Sequence, residues 1–161
     1  MTHTAYIGLG SNLDNPIQQV QTALTALNHL PQTTLQQHSS LYQSKPLGPQ
    51  NQPNYINAVA LLNTTLPPLI LLKQLQAIEN TQGRIRGNER WGARTLDLDI
   101  LLYDNHISYD PILTLPHTGL YERAFVLYPL YECVPDLVLP NGERLEKWVQ
   151  YCPINDLERI K

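Results

Sequence analysis

Apolar residues along this chain alternate between strand-like runs and helix-like stripes. Residues 5–10 form a short apolar run that predicts a buried strand. In the segment that follows, apolar residues recur at intervals of three and four: Ile17, Val20, Leu24 and Leu27. Asn15 and Pro16 stand just before this stripe, and an asparagine cap followed by a proline is typical of the first turn of a helix. The N-terminal part of the chain therefore predicts a strand followed by an amphipathic helix.

The middle of the chain repeats this alternation. Strands are predicted over residues 34–43, 55–62 and 97–103, and a helix is predicted over residues 67–82 with its stop at Gly83. Four side chains are expected on the inner face of that helix: Leu69, Leu72, Leu75 and Ile78. A turn at residues 104–105 follows, then a helical turn over residues 117–123. The turn signal Asn141-Gly142 precedes a last helix over residues 143–151.

The predicted elements follow the order β-α-β-β-α-β, with extra elements at the C-terminal end. This order is typical of an α+β protein in which helices pack on one face of an antiparallel sheet, the ferredoxin-like arrangement. Three prolines within residues 45–53 predict a stiff loop between the second and third strands. With 161 residues, 42% of them apolar and 16% charged, we expect a single globular domain over residues 1–161.

Charge and composition narrow the class of protein. The net charge of −3 argues against a general nucleic-acid binder, which usually carries a basic surface. The N-terminus lacks a charged leader followed by an apolar run, and the apolar residues 66–72 are too few to span a bilayer, so we expect a cytoplasmic protein without a membrane partner. Cys133 and Cys152 are too far apart for a redox or zinc motif and are expected to be reduced.

The chemistry of the chain is concentrated between residues 83 and 99. Four of the seven arginines fall between Arg84 and Arg94, and Asp97 and Asp99 follow directly. Guanidinium groups bind phosphate oxygens as planar donors, and three glycines in this segment predict a loop rather than a helix. Aspartates two apart on a strand share a face roughly 6.5–7 Å apart at Cα, which suits Mg²⁺. The pattern indicates nucleotide-dependent phosphoryl chemistry. A merely solvated arginine loop and a polar outer strand face are the alternative interpretations.

Four separated motifs, at residues 10–13, 46–57, 83–99 and 116–130, occur in an order that resembles the 6-hydroxymethyl-7,8-dihydropterin pyrophosphokinases of folate biosynthesis. The resemblance covers residues 5–141. It implies transfer of the terminal pyrophosphoryl group of ATP to the hydroxymethyl oxygen of the pterin, with release of AMP. It also implies two Mg²⁺ ions, ATP as co-substrate and, by analogy with the family, a monomer.

The resemblance implies a role for each matching residue. Asp97 and Asp99 match the ligands of the two Mg²⁺ ions, and Arg84 and Arg94 match catalytic arginines that fold over the phosphates. Residues that match the pterin site are Ser44, Leu47, Tyr55, Asn57, Trp91 and Phe125, with Tyr55 and Phe125 on either side of the ring. Residues that match the ATP site are Gln76, Glu79, Arg84, Arg86, Arg90, Trp91, Arg94, Ile100, Thr114, His117 and Arg123.

Three positions depart from the pattern of the family. Ile112 stands where the family often has a basic residue, Thr118 where it often has an aromatic residue near the nucleotide, and Lys45 where proline is common. These departures concern the details of ATP contact and the conformation of the pterin loop, and they leave the expected reaction unchanged.

Two other classes of function stay open on the residues alone. A Mg²⁺-dependent phosphohydrolase would use the same aspartates and arginines on water, but it has no need of two aromatic side chains around a flat ring. An RNA-binding module on a ferredoxin-like sheet would stack bases on strand aromatics. The acidic balance and the absence of an aromatic-rich RNA signature argue against that second class.

Overall fold

The computed structural model describes residues 2–45, 53–82, 95–154 and 156–160. In chain order its elements are β1 (His3–Ser11), α1 (Pro16–Leu27), β2 (Thr33–His38), β3 (Tyr42–Ser44), β4 (Tyr55–Thr64), α2 (Pro68–Thr81), β5 (Asp97–Tyr103), β6 (Ser108–Asp110), β7 (Leu113–Leu115), α3 (Ala124–Cys133), α4 (Leu145–Tyr151) and β8 (Glu158–Arg159). No helix among these residues is long and apolar enough to cross a membrane.

The main sheet has the predicted antiparallel β-α-β-β-α-β topology. β1 lies between β4 and β5, and β2 and β3 both pair with the outer edge of β4. β8 adds a short strand beside β3, and β6 and β7 form a separate hairpin. β6, β7 and β8 were not predicted, because each is only two or three residues long and shows no measurable periodicity. The ferredoxin-like α+β fold is confirmed.

The strand predicted over residues 34–43 is two strands, and Ser39 explains the break. The backbone N–H of Ser39 donates to the carbonyl of Val59 at 2.8 Å, while the N–H of Val59 donates to Ser39 Oγ at 2.9 Å. A side-chain oxygen therefore accepts the bond that a backbone carbonyl accepts in a regular ladder. Local side-chain bonds of this kind compete with sheet pairing and interrupt it.

Helices cover both faces of the sheet, because the C-terminal helices add a second layer to the predicted one-sided arrangement of the β-α-β-β-α-β unit. Buried residues of α1 and α2 pack with one face, and those of α3 and α4 pack with the other. β4 accordingly is buried on both sides from Ile56 to Leu62, as expected for a strand covered on both faces. Pro129 lies inside α3, and an interior proline is a signal against a helix, which is why α3 was not predicted.

The predicted inner faces of α1 and α2 are partly wrong. Ile17 and Leu69 are 41% and 46% exposed, whereas Leu71 is fully buried. Residues 69–72 are four consecutive apolar residues, so spacing alone does not determine which of them faces the sheet. The helix start at Asn15 and Pro16 is confirmed in position, but the Asn15 side chain makes no capping hydrogen bond because the residue adopts a left-handed conformation.

Candidate active site

A cavity of about 310 Å³ lies on the α3 side of the sheet, where four strands meet at one edge. In an antiparallel sheet the end of β1 and the end of β3 lie beside the beginnings of β4 and β5. The residues that line the cavity are Gly8, Leu9, Gly10, Ser44, Lys45, Tyr55, Asn57, Ala58, Asp97, Asp99, Leu101, His117, Thr118, Arg123, Phe125 and Val126. Most of the described residues that the sequence analysis selected therefore come together in one place.

Two glycines of β1 make room for this cavity. A β-carbon on Gly8 would lie 3.3 Å from the side chain of Leu101, and one on Gly10 would lie 3.4 Å from Oδ1 of Asn57. A larger residue at either position would crowd the side chains that line the cavity. These glycines were not predicted as site residues, although glycine within a strand often marks a close approach of a ligand or of another chain segment.

Asp97 and Asp99 lie on the same face of β5, as the sequence predicted, and both line the cavity. Leu98 and Ile100, which alternate with them, belong to the core on the other face. Among the described residues no group of three histidine, cysteine or acidic side chains could hold a metal by itself. Two carboxylates beside an open cavity nevertheless fit Mg²⁺, which takes few protein ligands and completes its coordination with water and phosphate oxygens.

Glu79 on α2 fixes the beginning of β5. Its side chain is 3% exposed, and Oε2 accepts the backbone N–H of Leu98 at 2.8 Å. Leu98 stands between the two cavity aspartates, so this bond holds the strand segment that carries them. Glu79 does not line the cavity. Through this bond the Glu79 carboxylate contacts the backbone of β5 and not the cavity.

His117 approaches the aspartates from the turn before α3. Its Nε2 lies 3.8 Å from Oδ1 of Asp99, and its backbone N–H donates to the carbonyl of Leu101 at 3.0 Å. Nδ1 accepts the N–H of Gly119 at 3.0 Å, so the proton of the neutral ring lies on Nε2, the nitrogen that faces Asp99. The turn therefore presents a donor beside the acidic face of β5.

Arg123 stands at the N-terminal cap position of α3. Its carbonyl accepts the N–H groups of Val126 and Leu127, both at 2.9 Å, and starts the helix. Its guanidinium carbon lies 5.8 Å from the centre of the Phe125 ring, within the range of a cation–π contact. Both side chains line the cavity. A cationic group and an aromatic ring thus lie side by side at the beginning of α3.

The opposite part of the cavity combines polar groups with aromatic rings. Asn57 Nδ2 donates to Ser44 Oγ at 2.7 Å, and both residues are buried. Tyr55 enters from β4 and Phe125 from α3, so the cavity receives one aromatic side chain from the sheet and one from the helix layer. Such a lining suits a flat heteroaromatic ligand, with the rings for its faces and the amide for its polar edge.

Polar side chains behind β3 tie that strand to α3 and to the C-terminal strand. The carboxylate of Glu132 accepts Tyr42 Oη–H at 2.6 Å and the N–H and Oγ–H of Ser40 at 3.0 and 2.9 Å, and Arg159 lies 3.5 Å away. Burial raises the pKa of Glu132, but these hydrogen bonds and Arg159 outweigh it, and the net pKa is lowered. Burial and the bond to Glu132 raise the pKa of Tyr42. These contacts support the strand that carries Ser44.

Some predicted site residues lie away from the cavity. Gln76 is half-buried on α2, Ile100 is in the core, and Thr114 lies on β7, where its hydroxyl donates to the carbonyl of Asp110 at 3.1 Å. Six further residues lie outside the described part of the chain: Leu47, Arg84, Arg86, Arg90, Trp91 and Arg94. Gly83, the predicted helix stop, lies outside it as well.

Of the three departures from the family pattern, two line the cavity. Lys45 and Thr118 both do so, and Lys45 Nζ lies 3.9 Å from Oδ2 of Asp156 near the C-terminus. Ile112 is 72% exposed on the hairpin and does not line the cavity. The sequence alone does not show which of the three residues reaches the cavity. Lys45, for example, follows the last residue of β3 and reaches the cavity only because that strand pairs with β4.

Comparison with curated proteins gives close relatives. A protein of Haemophilus influenzae named 2-amino-4-hydroxy-6-hydroxymethyldihydropteridine pyrophosphokinase is 55% identical over 147 residues, which are 91% of this chain and 91% of that protein. A protein of the same name from Pseudomonas aeruginosa is 51% identical over 160 residues, covering 99% of this chain and 98% of its own length.

Solved structures confirm the fold. The crystal structure of wild-type HPPK-DHPS from Plasmodium falciparum matches 99% of this chain with a TM-score of 0.75 at 15% identity, and the match covers 48% of that chain. This chain thus spans about half the length of that protein. The family profile described as 7,8-dihydro-6-hydroxymethylpterin-pyrophosphokinase (HPPK) matches residues 6–135. With that match over most of its length, and with relatives above 50% identity, the chain belongs to the HPPK family.

Proposed function

We infer that this chain transfers the terminal pyrophosphoryl group of ATP to 6-hydroxymethyl-7,8-dihydropterin, a step of folate biosynthesis, and releases AMP. Membership of the HPPK family supports the reaction. The observation that carries it is the composition of the cavity, in which a buried amide and two aromatic residues share one space with two aspartates of β5. Aromatic and amide groups suit the pterin, and the aspartates suit the metal-bound phosphates of the second substrate.

The pterin occupies the part of the cavity between β3, β4 and α3. Tyr55 and Phe125 stack on the two faces of its ring, and Asn57 bonds its polar edge. Ser44 holds the Asn57 amide through the 2.7 Å hydrogen bond, so the donors and the acceptor of that amide have a fixed direction before the ligand arrives. Leu47 and Trp91 complete this site. A preformed polar group of this kind lowers the cost of ordering on binding.

The phosphates of ATP lie toward β5. Asp97 and Asp99 would hold two Mg²⁺ ions, which would neutralise and orient the polyphosphate. The pterin hydroxyl oxygen forms a bond to the β-phosphorus of ATP, the bond from that phosphorus to the α,β-bridging oxygen breaks, and the hydroxyl proton is released. His117 and Arg123, which line the cavity beside the aspartates, contact the nucleotide. Positioning and charge balance are what such a transfer needs most.

Nine residues of the nucleotide site are assigned from the family resemblance. Arg84 and Arg94 stabilise charge on the reacting phosphoryl groups, and Arg86, Arg90 and Trp91 close the site over the nucleotide, which excludes water as a competing acceptor. Gln76, Glu79, Ile100 and Thr114 complete the nucleotide site. Because the side chains of Glu79 and Ile100 do not line the cavity, their contribution is to the placement of the β5 backbone. We further propose that the chain is one domain, monomeric and cytoplasmic.

The test is the nucleotide product. The chain is incubated with ATP and Mg²⁺, with and without 6-hydroxymethyl-7,8-dihydropterin, and the nucleotides are separated by ion-exchange chromatography. We expect AMP and pterin pyrophosphate in equal amounts, with no AMP when either the pterin or Mg²⁺ is left out. ADP and phosphate formed without the pterin would instead indicate the phosphohydrolase, and salt-dependent binding of single-stranded RNA without turnover would indicate the RNA-binding module.

A further inference from the structure

Gly119 and Arg123 occupy one shared space at the beginning of α3. A β-carbon placed on Gly119 would lie 2.5 Å from both Cζ and Nε of Arg123 and 2.9 Å from its Cδ. Carbon atoms in ordinary contact are about 3.5–4 Å apart, so these distances leave no room for a methyl group. The arginine side chain therefore fills the volume that any other residue would need at position 119.

The backbone of each residue is held independently of this contact. The N–H of Gly119 donates to His117 Nδ1 at 3.0 Å, and the N–H of Leu120 donates to the carbonyl of His117, also at 3.0 Å. The carbonyl of Arg123 is bound by the first turn of α3. The Arg123 side chain lies against the turn, with its guanidinium near the Phe125 ring at the cavity.

The backbone conformation at residue 119 does not require a glycine. Among the described glycines, Gly142 has a positive φ of 88°, and Gly119 does not. An alanine can adopt the backbone of residue 119 without the strain that it would meet at residue 142. The feature that requires a glycine at position 119 is the Arg123 side chain that packs against it.

We propose that Gly119 is a positioning residue that seats the Arg123 guanidinium at the cavity for the phosphates of a nucleotide. The charged groups of the cavity support this role for Arg123. Lys45 and Arg123 supply the cationic side chains among the described residues that line it, and Asp97 and Asp99 supply the acidic ones. A polyphosphate with its Mg²⁺ bridges two such groups of opposite charge, and arginine is the side chain best suited to phosphate oxygens. The inference rests on the proposed function, since it assumes that the cavity binds a nucleotide.

The substitution Gly119→Ala displaces the arginine and leaves the fold intact. The clash involves the far end of a flexible side chain, so the guanidinium moves away from the methyl group rather than the turn moving away from α3. We expect the affinity for a non-hydrolysable ATP analogue with Mg²⁺ to fall about tenfold, the loss typical of one charge-assisted contact. The thermal unfolding midpoint is expected to stay within about 2 °C of the wild-type value.

The decisive experiment is a double-mutant cycle read by isothermal titration with that analogue. The proteins are the wild type, Gly119→Ala, Arg123→Ala and the double variant. If Gly119 acts through Arg123, the alanine at position 119 weakens binding in the wild-type background and has no further effect once the arginine is removed. Steady-state kinetics provide a second readout, in which the KM for ATP rises in Gly119→Ala while the KM for the pterin changes less than about twofold.

Three results would overturn this assignment. Equal weakening by Gly119→Ala in both backgrounds would mean that the turn itself, and not Arg123, carries the effect. Wild-type affinity in Gly119→Ala would mean that the arginine position does not matter for the nucleotide. Loss of the cooperative unfolding transition in Gly119→Ala would mean that the methyl group disrupts the turn. Absence of analogue binding by the wild type would instead overturn the proposed function, and this inference with it.

Discussion

The side-chain amide of Asn57 donates a 2.7 Å hydrogen bond to Ser44 Oγ, and the bond joins β4 to β3 at the cavity. Tyr42 pairs with Asn57 and Ser44 pairs with Tyr55 in the register of these strands, so the bond runs diagonally across the ladder. Both side chains are buried. The edge strand thus holds the amide in one orientation, and substitutions at either end of this bond should affect the same ligand.

We expect Asn57→Ala to raise the KM for the pterin at least tenfold and Ser44→Ala to raise it by a smaller factor. Asn57→Ala removes the donors and the acceptor, whereas Ser44→Ala removes only the group that orients them. Steady-state kinetics at saturating ATP measure both effects. Asn63→Ala is the matched control, because Asn63 lies six residues further along β4 and does not line the cavity. A pterin KM in Asn57→Ala equal to that of the control would contradict the pterin assignment.

We expect Asp97→Asn and Asp99→Asn each to lower turnover at least a thousandfold at millimolar Mg²⁺ without changing thermal stability. Each substitution removes a carboxylate charge that the metal requires and keeps the size of the side chain. The rate of AMP formation and the unfolding midpoint are the measurements. Asp136→Asn is the control, because its side chain is 96% exposed and its ion-pair partner is Arg144. Turnover within tenfold of wild type in both variants would show that the metal lies elsewhere.

We expect Glu79→Ala to destabilise the protein by about 1–3 kcal/mol, since it leaves the buried N–H of Leu98 without the carboxylate that accepts it. Turnover should fall as well, because Leu98 lies between Asp97 and Asp99. Urea denaturation and AMP formation measure the two effects. Glu79→Gln keeps an acceptor oxygen and should recover most of the stability, while the exposed Glu146→Ala on α4 serves as the control for a lost glutamate. Equal losses in Glu79→Ala and Glu146→Ala would exclude this role.

The Glu132 carboxylate stabilises the folded protein to a degree that depends on pH, because its pKa is lowered on folding. Because the carboxylate has a lower pKa in the folded state than its ordinary value of 4.5, its contribution is present above that value and is lost as the pH falls below it. We expect Glu132→Gln to lower the free energy of unfolding by about 1 kcal/mol at pH 7 and by less at pH 3. Urea denaturation at several pH values measures this, and a difference that is the same at both pH values would disprove it.

Much of the chemistry was readable from the sequence because it depends on residues close together in the chain. Asp97 and Asp99 lie on one face of a strand whose bounds, Asp97–Tyr103, are those predicted. Strand alternation is a local property of the backbone, so two residues with one between them share a face wherever the strand is regular. The resemblance to the family added the pterin side chains, and those of them that the structure describes line the cavity.

Other features depended on contacts between distant segments. Of the second helix layer, α4 was predicted, but α3 was not, because α3 is apolar on most sides and contains Pro129, so its sequence shows no amphipathic stripe. Which of residues 69–72 faces the core was settled by packing, because all four are apolar. The bond between Glu79 and Leu98 bridges α2 and β5, and no pattern within either element indicates it.

By itself the sequence determined the alternation of strands and helices, the pair of aspartates and the acidic, compact character of the chain. Only the tertiary structure decided that the ends of β1 and β3 meet the beginnings of β4 and β5, and that Gly119 gives its space to Arg123. The physical reason is the distance along the chain between the residues that interact. Local patterns reflect the geometry of single elements, whereas a cavity is the space left between elements, and its shape follows from the packing of all of them together.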